Sequence, residues 1–247
     1  MATRPAKRAK RIERRGGRRE GAGRKPVYFL PSGARMHRRV RKRPEVSTRT
    51  PVHIILRASP DVGSLRRRRP YEAIRAAIEG AAERGFIRIV HASVQRDHVH
   101  LLVEAPDARA LASGMQGLQV SAARRVNAAL AIDQGLDEPR RGRVFITHYQ
   151  AEILRTPEQA RRALAAVLNN WRVHGEATAR SAAIDPYASG HGFDGWQGGA
   201  PAVAPPAGHK PLPVLPPRSR LLTTGWRTLG AIDPRELPPP SPELHDP

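Results

Sequence analysis

Residues 86–104 read Phe-Ile-Arg-Ile-Val-His-Ala-Ser-Val-Gln-Arg-Asp-His-Val-His-Leu-Leu-Val-Glu, and this stretch decides the fold. Its first part, 86–95, is rich in β-branched residues, and its last part, 98–104, contains a short apolar run, so both predict strands. Only Arg96 and Asp97 separate them, which is short enough for a tight turn. We therefore expect an antiparallel hairpin, with the second strand near the centre of a sheet.

The segments around this hairpin alternate between strand and helix patterns. Residues 51–57 read as a strand, and residues 144–154 read as another. A helix before the hairpin ends where Gly85 can cap it, and a long helix after it opens at Asp107. A last helix starts with the capping-box sequence Thr156-Pro157-Glu158-Gln159. The apolar positions at helical spacing are Tyr71, Ile74, Ala77, Ile78 and Ala81 in the first helix and Leu111, Met115, Leu118, Ala122, Val126 and Leu130 in the second.

The resulting order, β-α-β-β-α-β-α, predicts an α+β fold of the ferredoxin-like type. In this arrangement an antiparallel sheet carries its helices on one face. Gly114 and Gly117 interrupt the second helix, and they either weaken it locally or let another group approach closely.

Composition and charge narrow the classes of function. The 247 residues include 43 Lys and Arg against 22 Asp and Glu, a net charge of +21, and no cysteine. Disulfides, Cys-ligated metals and thiol nucleophiles are therefore excluded. The charge predicts a polyanionic partner, most often nucleic acid, even though a GC-rich genome alone favours Arg over Lys. Without a membrane-length apolar run or a secretory signal, we expect a cytoplasmic, nucleoid-associated bacterial protein.

Three regions differ in composition. Residues 1–50 carry 18 Lys and Arg and only three acidic residues, which is typical of a disordered basic arm. Residues 51–196 form the expected domain. Residues 197–247 form a Pro-rich tail, with 13 prolines from residue 200 onward. An inert linker is the favoured interpretation of this tail, and a docking motif is the alternative.

His98 and His100 are the candidate metal ligands. Alternate residues of a strand point to the same face, so the two imidazoles project together. They could chelate a divalent ion if another element supplied a third group. The alternative is that both histidines lie on a solvated sheet face.

The string Asp97-His98-Val99-His100-Leu101, on the third strand of a ferredoxin-like sheet, resembles the His-hydrophobe-His motif of the HUH single-tyrosine transposases. Within these insertion-sequence-200-like enzymes, the sequence is most similar to the REP-associated tyrosine transposase branch. The likeness spans 51–196. Its further motifs are Pro51-Val52-His53-Ile54, Ser93-Val94-Gln95-Arg96, Gly114-Met115-Gln116-Gly117-Leu118, Val144-Phe145, Tyr149, Leu154-Arg155-Thr156-Pro157, Val167-Leu168-Asn169-Asn170 and Phe193-Asp194-Gly195-Trp196.

This resemblance implies metal-assisted cleavage and transfer of single-stranded or hairpin DNA, that is, DNA transposition. A tyrosine on the last helix attacks the scissile phosphate in such enzymes. Two histidines and an Asn or Gln hold Mg²⁺ or Mn²⁺, which here assigns His98, His100 and Asn170 as metal ligands. The resemblance also implies a homodimer.

The sequence departs from the family pattern at the nucleophile. The tyrosine is expected four residues before Asn170, and Ala166 stands there. Tyr149 is a weak substitute, whose alternative role is packing or DNA contact, and hydrolysis by a water molecule would need no tyrosine. The competing hypothesis is a catalytically degraded member that binds DNA hairpins without cleaving them.

Seven arginines are the candidate DNA contacts, although any of them could instead be ordinary solvated surface. They are the four-residue run Arg66, Arg67, Arg68 and Arg69, and the helical residues Arg124, Arg125 and Arg162. A basic RNA-binding protein on the same fold is a more distant alternative, because few aromatic residues lie on the strands.

Overall fold

The computed structural model describes residues 45–146, 148–173, 184–199 and 208–238. The basic arm therefore lies almost wholly outside the described residues. The regular elements are β1 (Val52–Arg57), α1 (Arg68–Arg84), β2 (Arg88–Val94), β3 (His98–Glu104), α2 (Ala108–Asp133), β4 (Gln150–Ile153), α3 (Pro157–Asn169) and the short α4 (Arg220–Thr223).

The four strands form one antiparallel sheet in the order β2-β3-β1-β4. The hairpin predicted from residues 86–104 is formed by β2 and β3, and β3 lies inside the sheet. Ile55 on β1 pairs with His100 on β3 and with Gln150 on β4, which fixes the register across the sheet. The predicted ferredoxin-like fold class is confirmed.

Local signals place the helix ends where the sequence predicts them. Gly85 ends α1 in the left-handed conformation, with φ at 71°. The Asp107 side chain accepts from the Ala110 amide at the start of α2. Thr156 and Gln159 form the complete capping box of α3. These contacts satisfy backbone groups that a helix end would otherwise leave without partners.

The sheet is covered on both faces, which differs from the predicted placement of all helices on one face. Val99, Leu101 and Val103 of β3 pack with α1 and α2 on what we term the helix face. Leu102 packs under α3 on the opposite side, here the α3 face. Every residue of β3 is buried, so a cover is needed on both sides. The third helix supplies the second cover.

Gly114 lets α2 approach Ile87, the residue just before β2, closely. A Cβ atom at this position would stand 2.5 Å from Cγ2 of Ile87, inside any normal contact distance. Of the two alternatives left by the sequence, close approach therefore applies to Gly114.

Residues 208–238, which we term the C-terminal strap, pack onto the domain, whereas their composition predicts a linker. The Leu215 amide donates to the Ile89 carbonyl at 2.8 Å, along the outer edge of β2. Glu104 accepts from the amides of Arg218 and Ser219. Trp226 is 1% exposed. Backbone hydrogen bonds and one large aromatic side chain therefore hold a segment that has little apolar periodicity.

None of the helices in the described part of the chain has the length and apolar character that a membrane crossing requires.

Candidate functional site

Strand β3 presents two histidines side by side on the α3 face. His98 and His100 are both buried, and their ring centroids lie 4.7 Å apart. Val99 between them packs on the helix face. The alternation expected of a strand is observed, but the imidazoles lie beneath a helix and not on a solvated surface.

Asn170 reaches the same point from the end of α3. It opens a single 3-10 turn directly after the helix, and its side chain is buried. Its Nδ2 lies 3.2 Å from Nε2 of His98 and also hydrogen-bonds Nε2 of His100. The structure thus brings together the three residues that the sequence analysis grouped as ligands. We refer to them as the His–Asn cradle.

Each imidazole of the cradle has a second partner behind it. Nδ1 of His98 lies 2.7 Å from Oδ1 of Asp97, whose carboxylate is largely exposed. Nδ1 of His100 lies 2.9 Å from Nε2 of His53 on β1, and the two rings stack at 5.2 Å. Contacts of this type orient the ligands of metal sites. His53 had no predicted role, because the register that places it beside His100 cannot be read from one strand alone.

His53 is a neutral imidazole at neutral pH. Burial lowers its pKa to about 4, and the nearby charge of Arg162 acts in the same direction. A neutral ring can accept a hydrogen bond at one nitrogen, which a protonated ring cannot do.

The donor set of the cradle fits a divalent cation. Within the described ranges, no group of three or more His, Cys, Asp and Glu side chains could hold a metal ion. The third candidate ligand here is an amide. Nε2 of His98 and Nε2 of His100 both approach the same Asn170 amide, so the three side chains converge on one point. Imidazole nitrogens and an amide oxygen are compatible with Mn²⁺ or Mg²⁺ without selecting one of them.

No tyrosine of the described residues lies in the cradle. Ala166, buried on α3, stands one helical turn before Asn170 and offers only a methyl group. Tyr149 packs against the core of the helix face, on the other side of the sheet. The Tyr71 hydroxyl donates to the Lys210 carbonyl, and burial raises the pKa of this phenol. Tyr187 also packs on the helix face.

Arg66, a predicted DNA contact, has partners within the protein. Its guanidinium forms a two-bond ion pair with Asp185, with Nη2 and Oδ1 2.7 Å apart; the Asp185 side chain is fully buried and that of Arg66 is 10% exposed. It also donates to Gln95 and lies over the Tyr187 ring. Arg66 therefore joins the chain around 185 to the domain, and a phosphate would have to displace these partners.

The other predicted arginines lie at the surface. Arg67 and Arg69 pair with Asp133, and the largely exposed Arg68 pairs with Glu72. Arg162 pairs with Glu152 at 2.9 Å. Surface pairs of this kind are weak and can exchange a carboxylate for a phosphate at little cost.

Arg124 and Arg125 line a groove of about 990 Å³ along α2. Two further arginines that the sequence analysis did not single out, Arg84 and Arg140, complete this basic groove. They could not be recognised beforehand because α1 and the segment after α2 supply them from distant positions in the sequence.

Residues 47–152 match the family described as "Transposase IS200 like", which confirms the resemblance stated from the sequence. No curated protein sequence matches the chain. Two solved structures are similar at low identity. One is a REP-associated tyrosine transposase bound to a REP hairpin, with 15% identity and a TM-score of 0.39 over 55% of this chain and 74% of that chain. The other, from Deinococcus radiodurans R1 and assigned as a transposase, has 19% identity and a TM-score of 0.35 over 56% and 88%.

Proposed function

We propose that this chain, whose residues 47–152 match the IS200-like transposases, binds single-stranded or hairpin DNA and has lost tyrosine-dependent strand transfer. The single observation that carries the proposal is the pairing of a complete His–Asn cradle with Ala166 one turn before Asn170. The family match ends before α3. The assignment of Ala166 to the nucleophile position therefore rests on helix geometry and on the sequence motif.

The cradle residues have defined roles in this proposal. His98 and His100 would hold Mg²⁺ or Mn²⁺ through Nε2. The Asn170 amide, whose nitrogen faces both imidazoles in the structure, would turn over to offer its oxygen to the ion. Such an ion neutralises phosphate charge when bound. Asp97 and His53 keep the two imidazoles in place. All three cradle residues are buried, which limits their contact with bulk water. Ala166 offers no nucleophilic group at the position where the family has the attacking tyrosine hydroxyl.

Charge supports DNA as the partner. The net charge of +21 far exceeds what the solubility of one domain requires. The α2 groove gathers four arginines, and the N-terminus of α1 adds Arg67, Arg68 and Arg69 where the helix amides already favour an anion. These surfaces suit a phosphate backbone.

An active transposase is the second candidate, and the family match favours it. The strand-transfer nucleophile would then be another tyrosine of the sequence, such as Tyr28, which lies outside the described residues, acting in its own chain or on the partner's site in a homodimer. A nuclease that uses water as the nucleophile belongs to the same candidate, because it would cleave DNA without a tyrosine at position 166.

A covalent-adduct assay tests the proposal. Labelled hairpin DNA is mixed with Mn²⁺ and with the natural protein, Ala166→Tyr or Ala166→Phe, and the products are separated on a denaturing gel. We expect an adduct with Ala166→Tyr only, since Phe has the same ring without the hydroxyl. A thermal melt checks that each variant folds, because position 166 is buried.

Each other result has a definite meaning. An adduct or cleaved strand with the natural protein would replace the proposal by the active enzyme, and mass spectrometry would identify the linked residue. Folded variants that bind DNA but form no adduct would show that position 166 is not the nucleophile position.

A further inference from the structure

A continuous chain of hydrogen bonds runs through the cradle, from Asp97 through His98, Asn170 and His100 to His53. Asp97, the first member, determines which nitrogen of His98 carries the proton. An ionised carboxylate only accepts, so Nδ1 of His98 donates to Asp97. In the neutral imidazole the lone pair is then on Nε2, which faces Asn170.

The amide nitrogen of Asn170 is the donor to both imidazoles. An amide NH₂ group only donates, and it carries two hydrogens. Nδ2 contacts Nε2 of both histidines, so each Nε2 accepts one of these hydrogens. The proton of His100 is therefore on Nδ1, and Nδ1 donates to Nε2 of His53.

We propose that His53 is a positioning residue that fixes the tautomer and the ring orientation of His100, so that the Nε2 lone pair of His100 points into the cradle. This inference rests on the metal cradle of the proposed function. His53 is buried, and its ring lies nearly parallel to that of His100, at 21°. Two contacts favour this tautomer, the Asn170 amide that donates to Nε2 and the His53 nitrogen that accepts from Nδ1. Removing the His53 acceptor leaves only the first of these two contacts to hold the proton of His100 on Nδ1. The other tautomer would direct an N–H group at the position of the ion.

Nitrogen NMR of ¹⁵N-histidine-labelled, metal-free full-length protein tests the tautomer directly. We expect the proton of His100 on Nδ1 in the natural protein and a shift of the proton toward Nε2 in His53→Phe, which keeps a stacked ring but has no acceptor. His53→Gln offers an amide oxygen as acceptor and should restore the natural signal. A proton on Nε2 of His100 in the natural protein would overturn the inference, even if no variant folds.

Mn²⁺ titration of the same proteins gives a second readout. We expect His53→Phe to bind roughly 10- to 100-fold more weakly, as for other lost outer-shell contacts, and His53→Gln to recover most of the affinity. His91→Gln is the matched control, because His91 is a second buried histidine that contacts Ser189 and not the cradle. Equal affinity in His53→Phe and the natural protein would contradict the role of His53.

The two proposals can fail separately. A natural protein that binds no Mn²⁺ would remove the metal cradle from the proposed function, while the NMR signal would still decide which nitrogen of His100 carries the proton.

Discussion

At the scale of single residues, burial determines the protonation of the histidines on this sheet. His91 on β2 is buried against Ser189 and the Phe193 ring. Burial lowers its pKa to about 4, although the carboxylate of Asp194 opposes the shift. In the unfolded chain the same imidazole titrates near its ordinary value of 6.5. Below that pH the unfolded state therefore binds more protons than the folded state.

Acidification should consequently destabilise the protein through His91. Between pH 7 and pH 4.5, the contribution of this residue to the free energy of unfolding should fall by roughly 2 to 3 kcal/mol. His91→Gln keeps a polar contact for Ser189 and cannot titrate. Urea unfolding at both pH values should show a smaller loss for the variant than for the natural protein. Equal losses would mean that the buried His91 takes up its proton without unfolding.

Residue roles were predictable from the sequence only where they depend on local spacing. His98 and His100 share a face because strands have a period of two residues, and Asn170 follows from the helix motif. The contact between His53 and His100 could not be predicted without the register between β1 and β3. The ion pair of Arg66 could not be foreseen because its partner, Asp185, is 119 positions away, and a count of charges does not distinguish a largely covered arginine from its exposed neighbours.

At the scale of elements, the aromatic cluster under α3 explains why glycine stands at position 195. Phe193 and Trp226 stack at 5.4 Å, and the Trp226 ring lies directly over the Gly195 backbone. A Cβ atom at Gly195 would collide with the Trp226 ring and lie 2.5 Å from the Phe193 ring. The strap therefore docks where the chain has no side chain.

Gly195→Ala should lower the free energy of unfolding by about 1 to 3 kcal/mol, the usual cost of overpacking a buried contact. Gly192→Ala is the matched control, because a Cβ atom there meets nothing within 4 Å. Denaturant unfolding followed by tryptophan fluorescence measures both. A Gly195→Ala variant as stable as Gly192→Ala would show that Trp226 does not pack as described.

The three long helices and the first three strands were predictable because each carries an apolar period, a cap or both. The fourth strand was predicted over 144–154 but is confined to Gln150–Ile153. The strap was not, because α4 has only four residues and its neighbours are rich in proline. Its attachment depends on Glu104 binding the amides of Arg218 and Ser219, and composition carries no signal for such a contact. The placement of α3 on the second face follows from the complete burial of β3. The apolar run in β3 indicates this burial, but the order of elements does not specify which helix covers the second face.

At the scale of the whole molecule, the excess positive charge is unevenly distributed along the sequence. Residues 1–44 hold 17 Lys and Arg against two Glu, a net charge of +15 of the total of +21. The remaining domain keeps its own basic groove along α2. Two contributions to DNA affinity are therefore expected, one from the arm and one from the groove.

Salt dependence separates these contributions. Each phosphate contact releases counterions, so the logarithm of the binding constant falls linearly with the logarithm of salt concentration, by about 0.7 per contact for single strands. Removing residues 1–44 should flatten this slope. The cut spares Val46, which is buried, and Ser47, which pairs with Thr50 and Asp107. Fluorescence anisotropy with a labelled hairpin, measured across a salt series, gives both slopes.

A variant with Arg124 and Arg125 replaced by Gln tests the groove in the same assay, and Arg141→Gln is its control, because Arg141 is exposed and pairs with Glu138 outside the groove. We expect the truncation and the groove variant each to reduce the slope, and Arg141→Gln to leave it nearly unchanged. An unchanged slope after truncation would exclude the arm from DNA contact and assign the binding to the domain alone. An unchanged slope in the groove variant would leave the arm as the main electrostatic contact.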